Sequence, residues 1–373
     1  VTVCAQIQKV GAIQAQNRGF DTVVSPAMGL PLNSTACAMC GQCTVVCPTG
    51  ALKETDGLAP VWRALADPEK RVVVQVAPAV RAALGEEFGL PVGTPVTGKM
   101  ATALHEIGFD DVFDTLFSAD LTILEEGTEL LGRLNAALKG DESQKEKAVL
   151  PMITSCSPGW IKHIEHQFPE ELDHLSTCKS PHTMLGAVVK SFYAKRTKTA
   201  PENMFVVSVM PCTAKKYEIQ RPEMEVDGNR DVDAVLTTRE LARMIKTAGI
   251  DFVNLPEGEF DAPLGLGTGA ADIFGVTGGV MEAALRTVYE VVTGKELPFD
   301  KLHVTPIVGL EQVKTASITI EDTLPAYEHL KGVTVNVAVT SGLEGASMLM
   351  DEVAAGTSPY HFIEVMGCPG GCI

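Results

Sequence analysis

Positive charge is scarce in this 373-residue chain: 30 Lys+Arg stand against 47 Asp+Glu, a formal net charge of −17. Bulk charge of this sign is repelled by phosphate backbones and anionic headgroups, which argues against nucleic acid and membrane surfaces as partners. Long apolar runs are missing as well. The longest, such as Val72–Val76 and Phe205–Val209, are strand-length, well short of the roughly 20 residues of a membrane span. Residue 1 opens into Val1-Thr2-Val3-Cys4 with neither a basic stretch nor an apolar core, so no secretory signal is visible. Low-complexity segments and fixed-period repeats are also lacking. With 45% hydrophobic and 21% charged residues, the chain lies outside the range of disordered proteins and predicts a large core. Its length suits two or three packed units.

What the chain does have is cysteine, and it is clustered. Ten occur, at 4, 37, 40, 43, 47, 156, 178, 212, 368 and 372. From Cys37 to Cys47 the chain reads C-A-M-C-G-Q-C-T-V-V-C-P, the C-x2-C-x2-C-x3-C-P run that holds cubane iron–sulfur clusters. Gly41 permits the tight turn and Pro48 ends the loop. A disulfide framework marks small secreted domains, and a zinc site draws its ligands from two separated pairs; neither suits this run. In two-cluster ferredoxin folds the fourth Cys of each run serves the other cluster. Cys37, Cys40 and Cys43 are therefore expected to share a [4Fe–4S] cluster with Cys4, the only earlier cysteine. Cys47 would ligate a cluster whose other cysteines lie upstream of Val1, in an N-terminally truncated ferredoxin-like domain, unless the domain holds one cluster and Cys47 is spare.

Residues 1–54 are Gly- and Cys-punctuated, as expected of a domain organised by clusters rather than by a core. Beyond them, β-rich apolar runs alternate with helical patterns: Val61–Leu65 helical, Val72–Val76 a strand, Arg81–Phe88 helical, Val149–Ile153 a strand, Met184–Thr197 helical, Phe205–Val209 a strand. A second set follows, with Ala234–Leu236, Arg239–Ala248, Met281–Thr293, Val333–Val339 and Ala346–Ala355. The alternation predicts α/β architecture: two α/β lobes with parallel sheets, residues 55–200 and 201–373, after the small domain 1–54. The Gly/Asp/Pro-rich stretch 256–269 reads as a long connection. Cysteine-bearing segments sit where strands end: T-S-C-S-P-G-W at 154–160, M-P-C-T-A-K-K-Y-E at 210–218 and M-G-C-P-G-G-C at 366–372, beside Ala77-Pro78-Ala79 after Val76. Ligands of open α/β sheets lie outside the carboxyl ends of strands, so these segments are expected to form a second, buried metal site. Singly, each cysteine could equally be an apolar filler.

These segments resemble the three active-site motifs of the [FeFe]-hydrogenases, T-S-C-C-P-x-W, M-P-C-x-x-K-x-x-E and M-A-C-P-G-G-C, in the same order. The resemblance implies an H-cluster, in which a [4Fe–4S] cubane shares a cysteine sulfur with a two-iron site carrying CO, CN⁻ and a dithiolate amine. By motif, Cys212, Cys368 and Cys372 are implied as cubane ligands, with Cys372 the bridge. Lys215 is implied as the cation holding a cyanide ligand, a role that a compact ammonium suits. Met210 and Met366 would line the two-iron pocket, with Ala77, Pro78 and Ser180 as its wall. A proton relay is implied from Cys156 through Glu126 and Ser176 to Glu129. Glu126 and Glu129 share a face if helical, although the residues alone would read as ordinary helix carboxylates.

Two departures stand out. The family's Cys-Cys pair is Cys156-Ser157 here, which puts Ser157 at the cubane-ligand position unless the loop shifts and Cys156 ligates instead. His182 stands where the family often has Gln, and adds a titratable group. The resemblance implies reversible conversion of 2H⁺ + 2e⁻ to H₂ in a reducing, anaerobic cytoplasm. Electrons would come through [4Fe–4S] clusters from ferredoxin, or from flavin NADH-oxidising and iron–sulfur subunits of a multimeric complex. A low-activity sensory hydrogenase and a non-catalytic iron–sulfur cluster-assembly protein are the alternatives. A plain ferredoxin is too short a fold to account for the chain.

Overall fold

A computed structural model describes residues 1–139, 148–297 and 313–372. The chain forms two compact units drawn from interleaved segments. One comprises 1–52, 122–178 and 276–371; the other comprises 53–121, 179–275 and Cys372. This partition differs from consecutive lobes divided at residue 200. Its cause is strand pairing: the short strand Met152–Ile153 pairs with Phe362–Met366, far along the chain.

The unit built on 53–121 and 179–275 contains a four-stranded sheet in the order Asp111–Asp114, Arg71–Val76, Met204–Met210, Ala234–Thr237, parallel throughout. A parallel sheet is stable only with both faces covered, and the composition of the strands follows from that. Val72, Val73, Val74 and Val76 are all buried, as are Val206, Val207 and Val209. The helix Thr238–Thr247 starts at a capping box, in which the Thr237 hydroxyl accepts the Glu240 N–H and the Glu240 carboxylate accepts the Thr237 N–H. At Gly186 a Cβ would lie 2.2 Å from the Asp231 carbonyl oxygen, so the close packing there depends on glycine. The stretch 256–269 is irregular, as its composition predicts, and with Phe113, Phe117 and Leu185 it lines a cleft of about 560 Å³.

The other unit has a sheet in the order Val313–Thr319, Thr334–Ser341, Phe362–Met366, Met152–Ile153. The parallel pairs expected are present, with one antiparallel strand added at the edge. The edge strand Val313–Thr319 runs antiparallel to its neighbour, while the remaining pairs are parallel. Its largely exposed residues lack the apolar run that marks a buried parallel strand, which is why the sequence pattern did not reveal it. The expected strand Val149–Ile153 contracts to Met152–Ile153. In the unit of residues 53–121, the expected helix Arg81–Phe88 is the α-helix Pro78–Ala83 continued by a 3-10 segment to Phe88. The 24-residue helix Leu116–Lys139 carries Glu126 and Glu129. Among the described residues no helix is long and apolar enough to cross a membrane.

The N-terminal segment consists of short turns and one two-stranded antiparallel hairpin, Gln14–Gln16 with Val23–Ser25. It is anchored by Ala38, which packs in one core with Ile153, Trp160, Ile363 and Val365.

Candidate metal centre

Cys4, Cys37, Cys40 and Cys43 line one small cavity together with Gln42 and Ile13. Gly41, at φ 73, makes the turn between Cys40 and Cys43 that an L side chain would strain. Burial pushes the Cys40 thiol up to about 11, even though the Gln42 N–H and the Gln8 amide favour its thiolate. Four thiols facing one cavity, with burial raising those of Cys37, Cys40 and Cys43, are a donor set that bound iron would deprotonate and neutralise. The geometry therefore fits a [4Fe–4S] cluster. Cys47 lies outside this cavity. Its sulfur accepts the Leu52 N–H and sits beside the Thr49 hydroxyl, and these hold its thiol down at about 7. Among the described residues no three His, Cys, Asp or Glu side chains surround a single metal ion.

In the unit of residues 53–121 and 179–275, two motifs meet at neighbouring strand ends. Val76 and Val209 are register partners, and the Ala77 N–H donates to the Val209 carbonyl at 3.0 Å. Ala77 caps the helix begun by Pro78, Met210 ends its strand buried, and Cys212 follows two residues later. Burial pushes the Cys212 thiol up, while the Lys215 ammonium and the N–H groups of Lys215 and Ala214 favour the thiolate. That environment suits a cluster-bound sulfur. Ser180 precedes the helix Pro181–Val188 and exchanges a hydroxyl hydrogen bond with Thr183 at 3.1 Å.

Glu218 organises the charges behind this edge. One oxygen accepts from Lys215 Nζ at 2.9 Å and from His182 Nε2 at 2.5 Å. Burial pushes the Glu218 carboxyl up, but Lys215 and His182 together outweigh it and hold it at about 2. Burial and the Lys215 ammonium depress His182, against the pull of Glu218. The imidazole is therefore neutral and donates from Nε2, leaving Nδ1 to accept the Ser208 hydroxyl at 3.1 Å. Gln75 fixes the ring from behind by donating to the His182 carbonyl at 2.8 Å. Thus the His at the Gln position still donates a hydrogen bond, but to Glu218. Cys372 belongs to this unit, its N–H donating to the Gly275 carbonyl at 2.9 Å.

The other unit likewise brings two strand ends together. Cys156 and Ser157 lie between Ile153 and the helix Pro158–Gln167, next to the strand that delivers Met366, Gly367 and Cys368. The Val365 N–H donates to the Thr154 hydroxyl at 3.1 Å, and the Gly367 N–H donates to the Ser157 hydroxyl at 3.0 Å. A Cβ at Gly367 would lie only 2.8 Å from that hydroxyl oxygen. Ser157 and Gly367 both depart from the motifs T-S-C-C-P-x-W and M-A-C-P-G-G-C, and the fold places the two departures in contact.

Cys156, Glu126, Ser176 and Glu129, expected to form a relay, occupy the same unit. Glu126 is 1% exposed and neither carboxyl oxygen has a hydrogen-bond partner. Burial pushes its carboxyl up to about 7, with the nearby Ser176 hydroxyl and Ser155 N–H pulling the other way. Glu129 is the opposite kind of carboxylate. It pairs with Arg133 at 2.7 Å and accepts from the Thr177 N–H and hydroxyl at 3.0 and 2.9 Å and from the Ser176 hydroxyl at 3.4 Å. Arg133 in turn donates to the carbonyls of Val149, Asp173 and Leu175.

Residues 70–373 match the family described as the iron-only hydrogenase large subunit, C-terminal domain. The chain belongs to the [FeFe]-hydrogenase family. Residues 30–53 also match a 4Fe-4S binding domain. The NADP-reducing hydrogenase subunit HndD of Solidesulfovibrio fructosivorans is 53% identical over 100% of this chain, which spans 61% of that protein. The periplasmic [Fe] hydrogenase large subunit of Nitratidesulfovibrio vulgaris is 50% identical over 84% of this chain and 70% of its own length. Among solved structures, an [FeFe]-hydrogenase from Chlamydomonas reinhardtii superposes with a TM-score of 0.74 at 42% identity, covering 85% of this chain and 83% of its own. The cofactors of such a hydrogenase are [4Fe–4S] clusters and the H-cluster.

Sequence reasoning passed over several residues of this hydrogenase fold. Ser208, Gln75 and Arg133 carried no motif signal. Glu364 did, as a lone carboxylate within the apolar strand Phe362–Met366. Fully buried, it accepts the N–H groups of Gly278 and Met281 at the start of the helix Gly279–Thr293, and burial pushes its carboxyl up to about 7.

Proposed function

We propose that this chain is a hydrogenase catalytic subunit that interconverts 2H⁺ + 2e⁻ and H₂ at an H-cluster, with electrons relayed by [4Fe–4S] clusters. The observation carrying this reading is the group Lys215–Glu218–His182 behind Cys212: a fully ionised carboxylate locks an ammonium at the end of the strand Met204–Met210. Such a fixed cation suits a small anionic ligand. Cys212, Cys368 and Cys372 would hold the cubane, with Ser157 or Cys156 completing the set. The H-cluster supplies the chemistry of heterolytic H₂ cleavage and formation. The protein's own residues do the rest. By the family motifs Met210, Met366, Ala77, Pro78 and Ser180 would wall the two-iron group, and Lys215 would orient an anionic ligand of it.

Proton movement falls to Cys156, Glu126, Ser176 and Glu129. A carboxyl poised near pH 7 is matched to accepting and releasing protons at working pH. Glu126 has this property because it is buried without a partner. Glu129, paired with Arg133, offers the next acceptor through the Ser176 hydroxyl. The catalytic reading also favours cytoplasmic placement with ferredoxin, or flavin and iron–sulfur subunits of a complex, as redox partners. It rests for this on the exposed-thiol chemistry of clusters, which a reducing compartment preserves.

The test is an infrared spectrum of anaerobically matured protein. Sharp CO and CN⁻ stretching bands that shift under H₂, with H₂ evolution from a reduced dye, are the expected result. Full iron loading with no bands after maturation in vitro would leave the chain as a non-catalytic iron–sulfur protein of the assembly-factor kind.

A further inference from the structure

We infer that Gln42 is a positioning residue that couples the N-terminal cluster to the cubane, through a hydrogen bond from its side-chain amide to the sulfur of Cys368. The inference rests on the reading of Cys368 as a cubane ligand. Gln42 follows Gly41 inside the cysteine run and lines the same cavity as Cys4, Cys37, Cys40 and Cys43. Its Nε2 donates to Cys368 Sγ at 3.1 Å, across 326 positions of sequence. A neutral amide therefore lies between the N-terminal cysteines and Cys368, all of them within one compact unit.

Four further contacts hold this bridge in register. Gln8 is fully buried, its Nε2 donating to the Gly367 carbonyl at 2.8 Å and its Oε1 accepting the Leu343 N–H at 2.9 Å. The same side chain lies against the Cys40 thiol. On the other flank a Cβ at Gly159 would meet Cys40 Cβ at 3.4 Å, so the helix that follows Ser157 packs directly on the cluster loop. Cys40 and the residue preceding Cys368 are thus fastened to one glutamine, and Gln42 spans the remaining gap.

Hydrogen bonds to cluster sulfurs raise the reduction potential, because they stabilise the extra negative charge of the reduced state. An N–H aimed at Cys368 therefore raises the cubane's potential and favours electron transfer onto it. In the step concerned, one electron leaves the reduced N-terminal cluster, which is oxidised, and arrives on the cubane, which is reduced; no bond or proton is exchanged. Because the amide does not titrate, the contribution of Gln42 is independent of pH.

The experiment uses the full chain with both [4Fe–4S] clusters reconstituted and no two-iron site, read by iron analysis and potential-controlled EPR. Gln42→Leu removes the donor. The expected result is intact iron content with the cubane potential shifted negative, so that electron exchange between the clusters moves about tenfold towards the N-terminal one, which is about 59 mV for a one-electron couple. Gln42→Glu should shift further in the same direction, since it adds a negative charge. An unchanged cubane potential in these variants at full iron loading overturns the inference. A variant that loses iron does not protect it, because the unaltered protein with ¹⁵N-labelled glutamine side chains gives a second reading. Pulsed EPR of its reduced cubane should show coupling to an amide nitrogen, and absence of that coupling is equally fatal. Cys368→Ser separates the two levels: a cubane that survives it with unchanged EPR signal removes the underlying ligand reading, whereas a failure confined to Gln42 leaves that reading standing.

Discussion

Two buried glutamates, one in each compact unit, show how the same side chain is set to opposite tasks. Glu218 meets an ammonium and an imidazole at 2.9 and 2.5 Å, and its carboxyl is held at about 2. Glu126 meets no hydrogen-bond partner, and burial pushes it up to about 7. Burial is equally complete at both. The difference lies in the partners: an ammonium and an imidazole N–H turn a buried carboxylate into a permanent charge that anchors Lys215, and the lack of such partners makes one suited to carrying a proton.

Removing the charge of Glu218 should have the largest effect. Glu218→Gln leaves Lys215 without its counter-charge and is expected to cost about 3–5 kcal/mol in urea unfolding, with loss of CO and CN⁻ bands after maturation. The folded-state pKa of Glu218 is depressed, so its contribution is present above the unfolded value near 4.5 and is lost as pH falls through about 2. The acid-unfolding slope over that window should flatten in the variant.

Glu126→Gln tests the other half of the contrast. Hydrogen evolution should fall by about a hundredfold or more while substrate-independent iron content stays constant. Its stability effect has the opposite sign. A raised carboxyl pKa means that stability is fully present below about 4.5 and is lost as pH rises through about 7. Above pH 7 the glutamine variant should therefore be the more stable, by about 3 kcal/mol at most, and the two melting curves should coincide at low pH. A wild-type melting temperature that is flat from pH 5 to 8 would show that Glu126 is not held neutral.

Smaller effects test the contacts around each site. Gly367→Ala places a methyl 2.8 Å from the Ser157 hydroxyl and should destabilise by about 1–3 kcal/mol. Adding Ser157→Ala should recover most of that, a non-additivity that equilibrium unfolding of the four cycle members would measure. Ser208→Ala removes the donor to His182 Nδ1 and is expected to cost about 1 kcal/mol. Because the proposed tautomer puts the proton on Nε2, the His182–Glu218 contact should survive it, which ¹⁵N chemical shifts of the ring would report.

Much of this was legible in the residues. The cysteine run announces a cluster, because its ligands are contiguous and a loop of that spacing can wrap only a compact group. Valine-rich runs at 72–76 and 205–209 announce buried parallel strands, since both faces must be apolar. The antiparallel edge strand Val313–Thr319 was not legible, because its residues face solvent and carry no apolar run. Nor were the interleaved units: a strand was legible at 149–153, but not its pairing with Phe362–Met366 far along the chain.

By itself, then, the sequence determined the local chemistry: which thiols can share a cluster, which strand ends carry metal motifs, and that Glu126 and Glu129 share a helical face. Only the tertiary structure decided that Gln42 reaches Cys368, that the departures Ser157 and Gly367 fit each other, and that of two buried glutamates one is charged and the other is not. The physical reason is that spacing is a property of neighbours along the chain. A carboxyl's protonation and a hydrogen bond across 326 residues depend on which distant groups burial brings, or fails to bring, within about 3 Å.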